Sequence, residues 1–438
     1  MKIIVIGGGA AGFFSAITAA ETYPTAKVTI LERGQNLLGK VRISGGGRCN
    51  VTHACFVPRD LVKNYPRGEK ALMSPFTRFA AQDTIDWFEQ RGVELKEEDD
   101  GRMFPISDNS ETIVECLMRA ATQAGVEILR GYRVEDIIVP EVVVDNLLPN
   151  ENQTATNESQ QFTIVTNQKV LKADKIIVAT GSSTEIWKTL QSLGHTIVQP
   201  VPSLFTFNIK DKRIADLAGL SVPNATVHIQ DTNLKAQGPL LITHWGLSGP
   251  GILKLSAWGA RELFAKHYHF TIKINWTGHT TLDEVKNHLN AYKLEAPKKQ
   301  ITTPPQGFEA ALNLPPQYLM PTRLWQRFIE TVQIPTDTRW ADVTKKHVQA
   351  LAEQLTQSIF EVKGKSTFKE EFVTAGGVQL NEVNFKTFES KIIPNLYFAG
   401  EVLDIDAITG GFNFQAAWTG GWIVGKEIGV EKTWSDVV

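Results

Sequence analysis

Two clusters of residues, at opposite ends of the chain, have the types and spacing to hold one dinucleotide. The first is Gly7-Gly8-Gly9-Ala10-Ala11-Gly12, a G-x-G-x-x-G string, with Glu32 twenty residues beyond Gly12. Glycines here allow a tight turn and let the backbone approach a pyrophosphate at a helix N-terminus, so Gly7, Gly9, Ala10, Ala11 and Gly12 are its predicted contacts. A carboxylate at Glu32 can accept from adenosine ribose hydroxyls and disfavours a 2′-phosphate, which points to FAD or NAD rather than NADP. The second cluster is Gly400-Glu401 followed by Gly410-Gly411-Phe412-Asn413. An acid at a strand end can hold ribityl hydroxyls. The glycine pair opens a helix whose unpaired N–H groups suit a flavin pyrimidine, where reduction accumulates negative charge. Between them, Ala179-Thr180-Gly181 ends an apolar run in a strand–turn of the two-dinucleotide flavoprotein kind. A simple NAD domain has no use for the second cluster, so the dinucleotide is read as FAD.

Ser44-Gly45-Gly46-Gly47-Arg48-Cys49-Asn50 is the most unusual local string. Three successive glycines lose much entropy on ordering, which argues for close approach to something flat or anionic. Gly46, Gly47, Arg48 and Asn50 are therefore assigned to the cofactor, with Arg48 opposing a phosphate or a negative reduced flavin. Cys49 could give a proton near the flavin, although a small buried residue is the stronger reading of it. Thr243-His244-Trp245-Gly246-Leu247-Ser248-Gly249-Pro250 places glycines beside Thr, His and Ser, as in a loop presented to a site. His244 is the second candidate acid, against a hydrogen-bonded structural role. The catalytic site is expected where these two strings meet across the flavin ring. A serine hydrolase is excluded by the lack of a G-x-S-x-G elbow. Cys49 and Cys55 lack zinc spacing and no H-E-x-x-H is present, so no metal is expected.

The elements that must position these residues follow from periodicity. Residues 2–6 read as a buried parallel strand, 10–22 as an Ala-rich helix and 27–32 as a second strand, a β-α-β unit. Helices are expected near 78–91 and 110–124. A long polar loop at 145–161 joins the strand-like runs Val134–Val139 and Phe162–Thr166. From about 190 the texture turns to short β-like runs (204–209, 225–230, 269–276) between Gly and Pro turns. From about 280 to 355 helical periodicity returns: Leu282, Val285, Leu289 and Tyr292 share one face, and Val348, Leu351, Leu355 and Ile359 another. Leu396–Ala399 is again a strand, and a helix spans about 413 to 428. The fold class is therefore α/β. A Rossmann-like, two-dinucleotide-type FAD-binding domain (1–190 and 370–438) carries an inserted β-rich, barrel-like domain (191–275 and 356–369) and a helical subdomain (276–355).

Composition bounds the partners. A formal net charge of −2 gives no global basic field to draw in nucleic acid or anionic lipid, which leaves only a local patch for that purpose. The three cysteines cannot build a disulfide framework and suit a reducing cytosol. No apolar run approaches the roughly 20 residues that cross a bilayer, and the N-terminus lacks a signal-peptide pattern. The expected location is the cytoplasm, away from membranes.

Nearly the whole chain resembles the bacterial BaiN/RdsA-type flavoproteins, also called aminoacetone oxidase family FAD-binding enzymes. The resemblance rests on Gly7–Gly12 with Glu32, Ser44–Asn50, Gly101–Pro105, Ala179–Gly181, Thr243–Pro250, Thr374–Val378 and Gly400–Gly411. Lys40-Val41-Arg42 departs from a Lys-first pattern, and Ala407-Ile408 stands where a glycine is common. Arg33, Lys40, Val134 and Asp404 complete the expected cofactor contacts. The resemblance implies the three-part architecture above. It also implies one of three activities: reduction of conjugated C=C bonds in bile-acid intermediates, reduction of a uridine in large-subunit ribosomal RNA, or oxidation of aminoacetone. The expected reaction is a reduction, in which NAD(P)H reduces FAD and flavin N5 passes hydride to an enone or uracil C=C bond. Cys49 or His244 would protonate the adjacent carbon. With no second G-x-G-x-x-G, NAD(P)H is expected to dock transiently. The alternatives are an amine oxidase that returns electrons to oxygen, and an RNA-binding flavoprotein with little catalysis whose helical part docks on ribosomal RNA.

Overall fold

Ile3 to Ile6 are apolar at every position, which only a strand covered on both faces can satisfy. The computed structural model describes residues 1–140, 161–305, 320–366 and 373–430. It places strand β1 (Lys2–Ile6) in the middle of a sheet, with Ile3, Ile4, Val5 and Ile6 all buried. Helix α1 (Ala10–Thr22) and strand β2 (Lys27–Glu32) complete the β-α-β unit, and β1 and β2 pair in parallel. On the far side of β2 lies Glu127–Arg130, and on the other side of β1 lie Lys175–Val178 and then Leu396–Phe398, all parallel. Two short antiparallel strands, Glu389–Ser390 and Val383–Asn384, finish that edge. A strand from near residue 400 is thus hydrogen-bonded into the sheet begun by residue 2. The chain divides into two compact units, Met1–Pro200 with Val373–Val438, and Val201–Phe372.

In the first unit the C-terminal helix Phe412–Glu427 packs on α1, and small residues set the spacing. A Cβ at Gly421 would lie 2.9 Å from the Ala11 carbonyl oxygen and 3.0 Å from the Ser15 nitrogen. One at Gly425 would lie 2.5 Å from Thr18 Cβ and 2.8 Å from the Ala19 nitrogen. Gly→Ala inside a helix ordinarily stabilises by about 0.5–1 kcal/mol. At Gly425 the opposite sign is expected, about 1–3 kcal/mol of destabilisation from overpacking, read as a lower thermal midpoint. A midpoint at or above the wild-type value would show that the helices are not held this close. The antiparallel strands Val134–Ile138, Phe162–Thr166 and Val170–Ala173 form a separate small sheet. The polar stretch expected between the first two lies largely outside the described residues.

The second unit is built on a seven-stranded sheet of antiparallel pairs. Its order is Ser358–Lys363, His269–Asn275, Ser221–Ile229, Lys235–Ile242, Gly246–Ser248, Thr206–Asn208 and Lys365–Ser366. The two edge strands flank Gly364 and follow one another in the chain, so the sheet curls back on itself. Helices Leu282–Glu295, Thr322–Thr331 and Lys345–Thr356 share one core with this sheet, in which Trp276, Phe360, Trp325 and Trp340 are fully buried. The helical stretch and the β-rich part therefore share one core. Val285, Leu289 and Tyr292 point inward as their spacing predicts, and so do Val348, Leu351 and Leu355. Ile359 does not join them. The helix ends at Thr356, and Ile359 falls in the strand Ser358–Lys363, whose alternating burial turns it outward at 51 % exposure.

Candidate functional site

The turn between β1 and α1 is forced by its glycines. Gly7 has φ +113, and a Cβ there would lie 2.4 Å from the Ala179 carbonyl oxygen. A Cβ on Gly12 would lie 1.9 Å from the Gly7 carbonyl oxygen, so only glycine lets the helix start this close to the strand. A Cβ on Gly9 would meet nothing within 4 Å. The first helical bond is Phe13 N–H to Gly9 O at 3.0 Å, so the N–H groups of Ala10, Ala11 and Gly12 precede the intrahelical ladder. That is an open face lined with donors, suited to a pyrophosphate. Glu32 accepts from the Gly8 and Gly34 N–H groups, each at 2.8 Å, so it braces the loop. Each of its oxygens has further lone-pair capacity for a ribose hydroxyl. Arg33, next in sequence, makes an exposed ion pair with Glu185 at 3.7 Å. Val134 is buried where its strand begins.

The C-terminal cluster reaches the same place. Gly400, at φ +76, passes α1 so closely that a Cβ would lie 3.0 Å from Ala11 Cβ. Glu401 pairs through Oε2 with Lys40 at 2.5 Å, while its Oε1 is buried with no hydrogen-bond partner. Thr180 Oγ1 is buried and unpartnered as well, and a Cβ at the neighbouring Gly181 would stand 3.6 Å from Glu401 Oε2. Two orphaned polar atoms are costly unless a ligand satisfies them. A ribityl chain has hydroxyls that can donate to the carboxylate oxygen and exchange a bond with the hydroxyl, so this pair of atoms fits FAD. Asp404 is buried, with its N–H on the Val378 carbonyl at 3.0 Å.

The third piece is the segment 44–53. Gly45, Gly46 and Gly47 all take positive φ (59, 71 and 85). Gly45 packs on Phe104, whereas Gly46 and Gly47 present an open face where a Cβ would meet nothing within 4 Å. With its amide turned to satisfy both neighbours, Asn50 donates to the Thr52 carbonyl and accepts from the Gly411 N–H, each at 3.0 Å. Gly411, at φ +90, sits on Thr52, where a Cβ would be 2.5 Å from the carbonyl oxygen. The helix Phe412–Glu427 begins there. Gln415 N–H is the first to find a helical carbonyl, Gly411 O at 3.0 Å, and the N–H groups of Phe412, Asn413 and Phe414 precede it. Asn413 spends its side chain on both backbone groups of Ala407, at 2.9 and 3.2 Å, which fixes the loop leading to the glycine pair.

Arg48 meets an arrangement other than the one expected, Cys49 takes the packing role that was the stronger reading of it, and His244 lies in the inserted part as expected. Arg48 does not stand ready for an anion: its guanidinium lies 3.9 Å over the Phe104 ring and pairs with Glu98 at 2.5 Å and Asp108 at 3.4 Å. Cys49 is fully buried at φ +63, and burial pushes its thiol up to about 12. This matches a packing residue. His244 belongs to the second unit. It sits with Trp245 at the tip of a two-residue turn closed by Thr243 N–H to Gly246 O at 2.8 Å, and both side chains are exposed. The sequence reading missed His53. Its signal was indirect: glycines at 101 and 410 leave room for its ring. Among the described residues no group of three or more His, Cys, Asp or Glu is placed to hold a metal, and no helix is long and apolar enough to cross a membrane.

Residues 1–427 match the family described as HI0933-like protein Rossmann domain. A ribosomal RNA dihydrouridine synthase of Escherichia coli (strain K12) is 27% identical over 98% of this chain and 98% of its own length. An enzyme of the same name from Haemophilus influenzae (strain ATCC 51907 / DSM 11121 / KW20 / Rd) is 28% identical over 95% of each. A 3-dehydro-bile acid delta(4,6)-reductase of Clostridium scindens (strain ATCC 35704 / DSM 5676 / VPI 13733 / 19) is 25% identical over 97% of this chain and 98% of that one.

Proposed function

The chain belongs to the HI0933-like Rossmann family and is an FAD-dependent oxidoreductase; from that premise we propose that it reduces a C=C bond conjugated to a carbonyl, with the uracil ring of a ribosomal uridine as its substrate. One observation carries this. Relatives named for unlike substrates, a uridine in RNA and a bile acid, share one chemistry, the addition of two hydrogens across a conjugated C=C bond. A uracil ring and an unsaturated ketone are both electron-poor at the carbon that receives hydride.

FAD, when bound, supplies that hydride from N5. The chain's own residues do the rest. The N–H groups of Ala10, Ala11 and Gly12 hold the pyrophosphate, Glu32 the adenosine ribose, and Glu401 Oε1 with Thr180 Oγ1 the ribityl hydroxyls. The N-terminus of Phe412–Glu427 stabilises negative charge on the pyrimidine. We assign the proton to His244, an exposed imidazole, rather than to the buried Cys49 thiol. NAD(P)H is the electron source.

Anaerobic mixing tests the reaction class. NADH or NADPH should bleach the visible absorbance of the flavin and aminoacetone should not. Subsequent addition of ribosomal RNA lacking the modification should restore the colour and yield dihydrouridine. Bleaching by the amine instead, with electrons passed to oxygen, would make the protein an amine oxidase. Binding of RNA without reoxidation would make it an RNA-binding flavoprotein.

A further inference from the structure

The imidazole of His53 is clasped by the parts of the first unit that converge on the flavin site. Its Nδ1 lies 3.1 Å from the Gly410 carbonyl oxygen. A carbonyl can only accept, so Nδ1 carries the proton. The ring lies against Phe412 with centroids 4.5 Å apart and planes tilted by 32°. Glycines flank it on both sides: a Cβ at Gly101 would lie 2.7 Å from Nε2, and one at Gly410 3.3 Å from Nδ1. Gly101 is at φ +81 and Gly410 at φ +128, so each already has a conformation that side chains avoid. Two glycines kept clear of one ring, and a bond from that ring to one of them, indicate a fixed orientation for the imidazole.

What it holds is the turn before the helix Phe412–Glu427. His53 is paired with Arg102 across a short antiparallel bridge, and Thr52 and Asn50 in the same segment grip Gly411. Asn50, Thr52 and His53 thus act on two successive residues, 410 and 411, that aim the helix N-terminus. We infer that His53 is a positioning residue for the flavin: by holding the Gly410 carbonyl it sets the direction of the first-turn N–H groups of Phe412–Glu427, and with it the stabilisation of the reduced cofactor. The inference rests on the flavoenzyme reading above and deepens it, because it depends on that helix end facing the pyrimidine.

Two variants separate the hydrogen bond from the ring contact. His53→Phe keeps an aromatic ring on Phe412 and removes the donor. His53→Asn keeps an amide N–H near the Nδ1 position and removes the ring. The readouts are FAD affinity, by titration of the apoprotein, and the flavin midpoint potential, neither of which requires the substrate. His53→Phe is expected to bind FAD about tenfold more weakly, the scale of one orphaned buried acceptor, and to shift the potential to more negative values. His53→Asn is expected to restore both. If His53→Phe matches the wild type in both readouts, or if the two variants shift equally, the inference is overturned. A wild-type apoprotein that takes up no flavin would overturn the flavoenzyme reading itself, and the inference with it.

Discussion

Gly9→Val is expected to give a folded protein that cannot retain FAD. The two halves of that result come from one geometry. Gly9 has φ −94, a conformation open to any residue, and a Cβ there meets no protein atom within 4 Å. The substitution therefore adds no clash to the folded chain, and the loss of a good helix N-cap costs it about 1 kcal/mol at most. The space the side chain enters lies at the start of α1, where the N–H groups of Ala10, Ala11 and Gly12 precede the helical ladder and would face the proposed pyrophosphate. A branched side chain there blocks the approach of the phosphate oxygens to the backbone. FAD affinity should fall at least about 100-fold, the loss of two or more charge-assisted bonds, while the apoprotein keeps its circular dichroism and melts within a few degrees of wild type. Gly12→Val supplies the contrast. Its Cβ would fall 1.9 Å from the Gly7 carbonyl, so that variant should fail at the level of folding. A yellow Gly9→Val protein with stoichiometric FAD would show that the pyrophosphate lies elsewhere.

The two glycine positions also show how far the sequence could be read. The G-x-G-x-x-G pattern with Glu32 located the turn because its constraints are local: backbone contact at Gly7 and Gly12, open space at Gly9. The C-terminal cluster was equally legible, since Gly400 and Gly411 must be glycine wherever the chain passes α1 and Thr52 this closely. Arg48 was not. A guanidinium in a glycine-rich loop suits an anion, but Glu98 and Asp108, some fifty and sixty residues on, compete for it and no local pattern announces them. His53 was invisible for the same reason, because its meaning lies in Gly101 and Gly410. Ile359 was misread through period. A helix spacing can be continued by chance into a strand, and only the pairing of Ser358–Lys363 with His269–Asn275 decides which period governs. Alternation and helical periodicity differ along the second unit, and only the packed structure shows that their apolar faces close on one core.

His244→Ala is expected to slow reoxidation of the reduced flavin by substrate about 10²–10⁴-fold, the usual effect of removing a positioned acid. Flavin reduction by NAD(P)H should change little, because hydride delivery to the cofactor needs no such acid, and FAD binding should be unaffected because every residue assigned to the cofactor lies in the other unit. The choice between the two candidate acids rests on access. A donor must reach substrate. Cys49 is fully buried, with its thiol pushed up to about 12, so Cys49→Ala should leave turnover within a few-fold of wild type. His244 is exposed at the tip of a tight turn whose closing Gly246, at φ +146, leaves no room for a Cβ beside the Phe207 carbonyl oxygen. Thr243 Oγ1 accepts from the Trp245 N–H at 3.3 Å and completes the turn. The imidazole is thus presented from a rigid support. The measurement is stopped-flow reoxidation with the two half-reactions separated. An Ala variant that reoxidises at the wild-type rate would remove His244 from the reaction and return the proton to another group or to water.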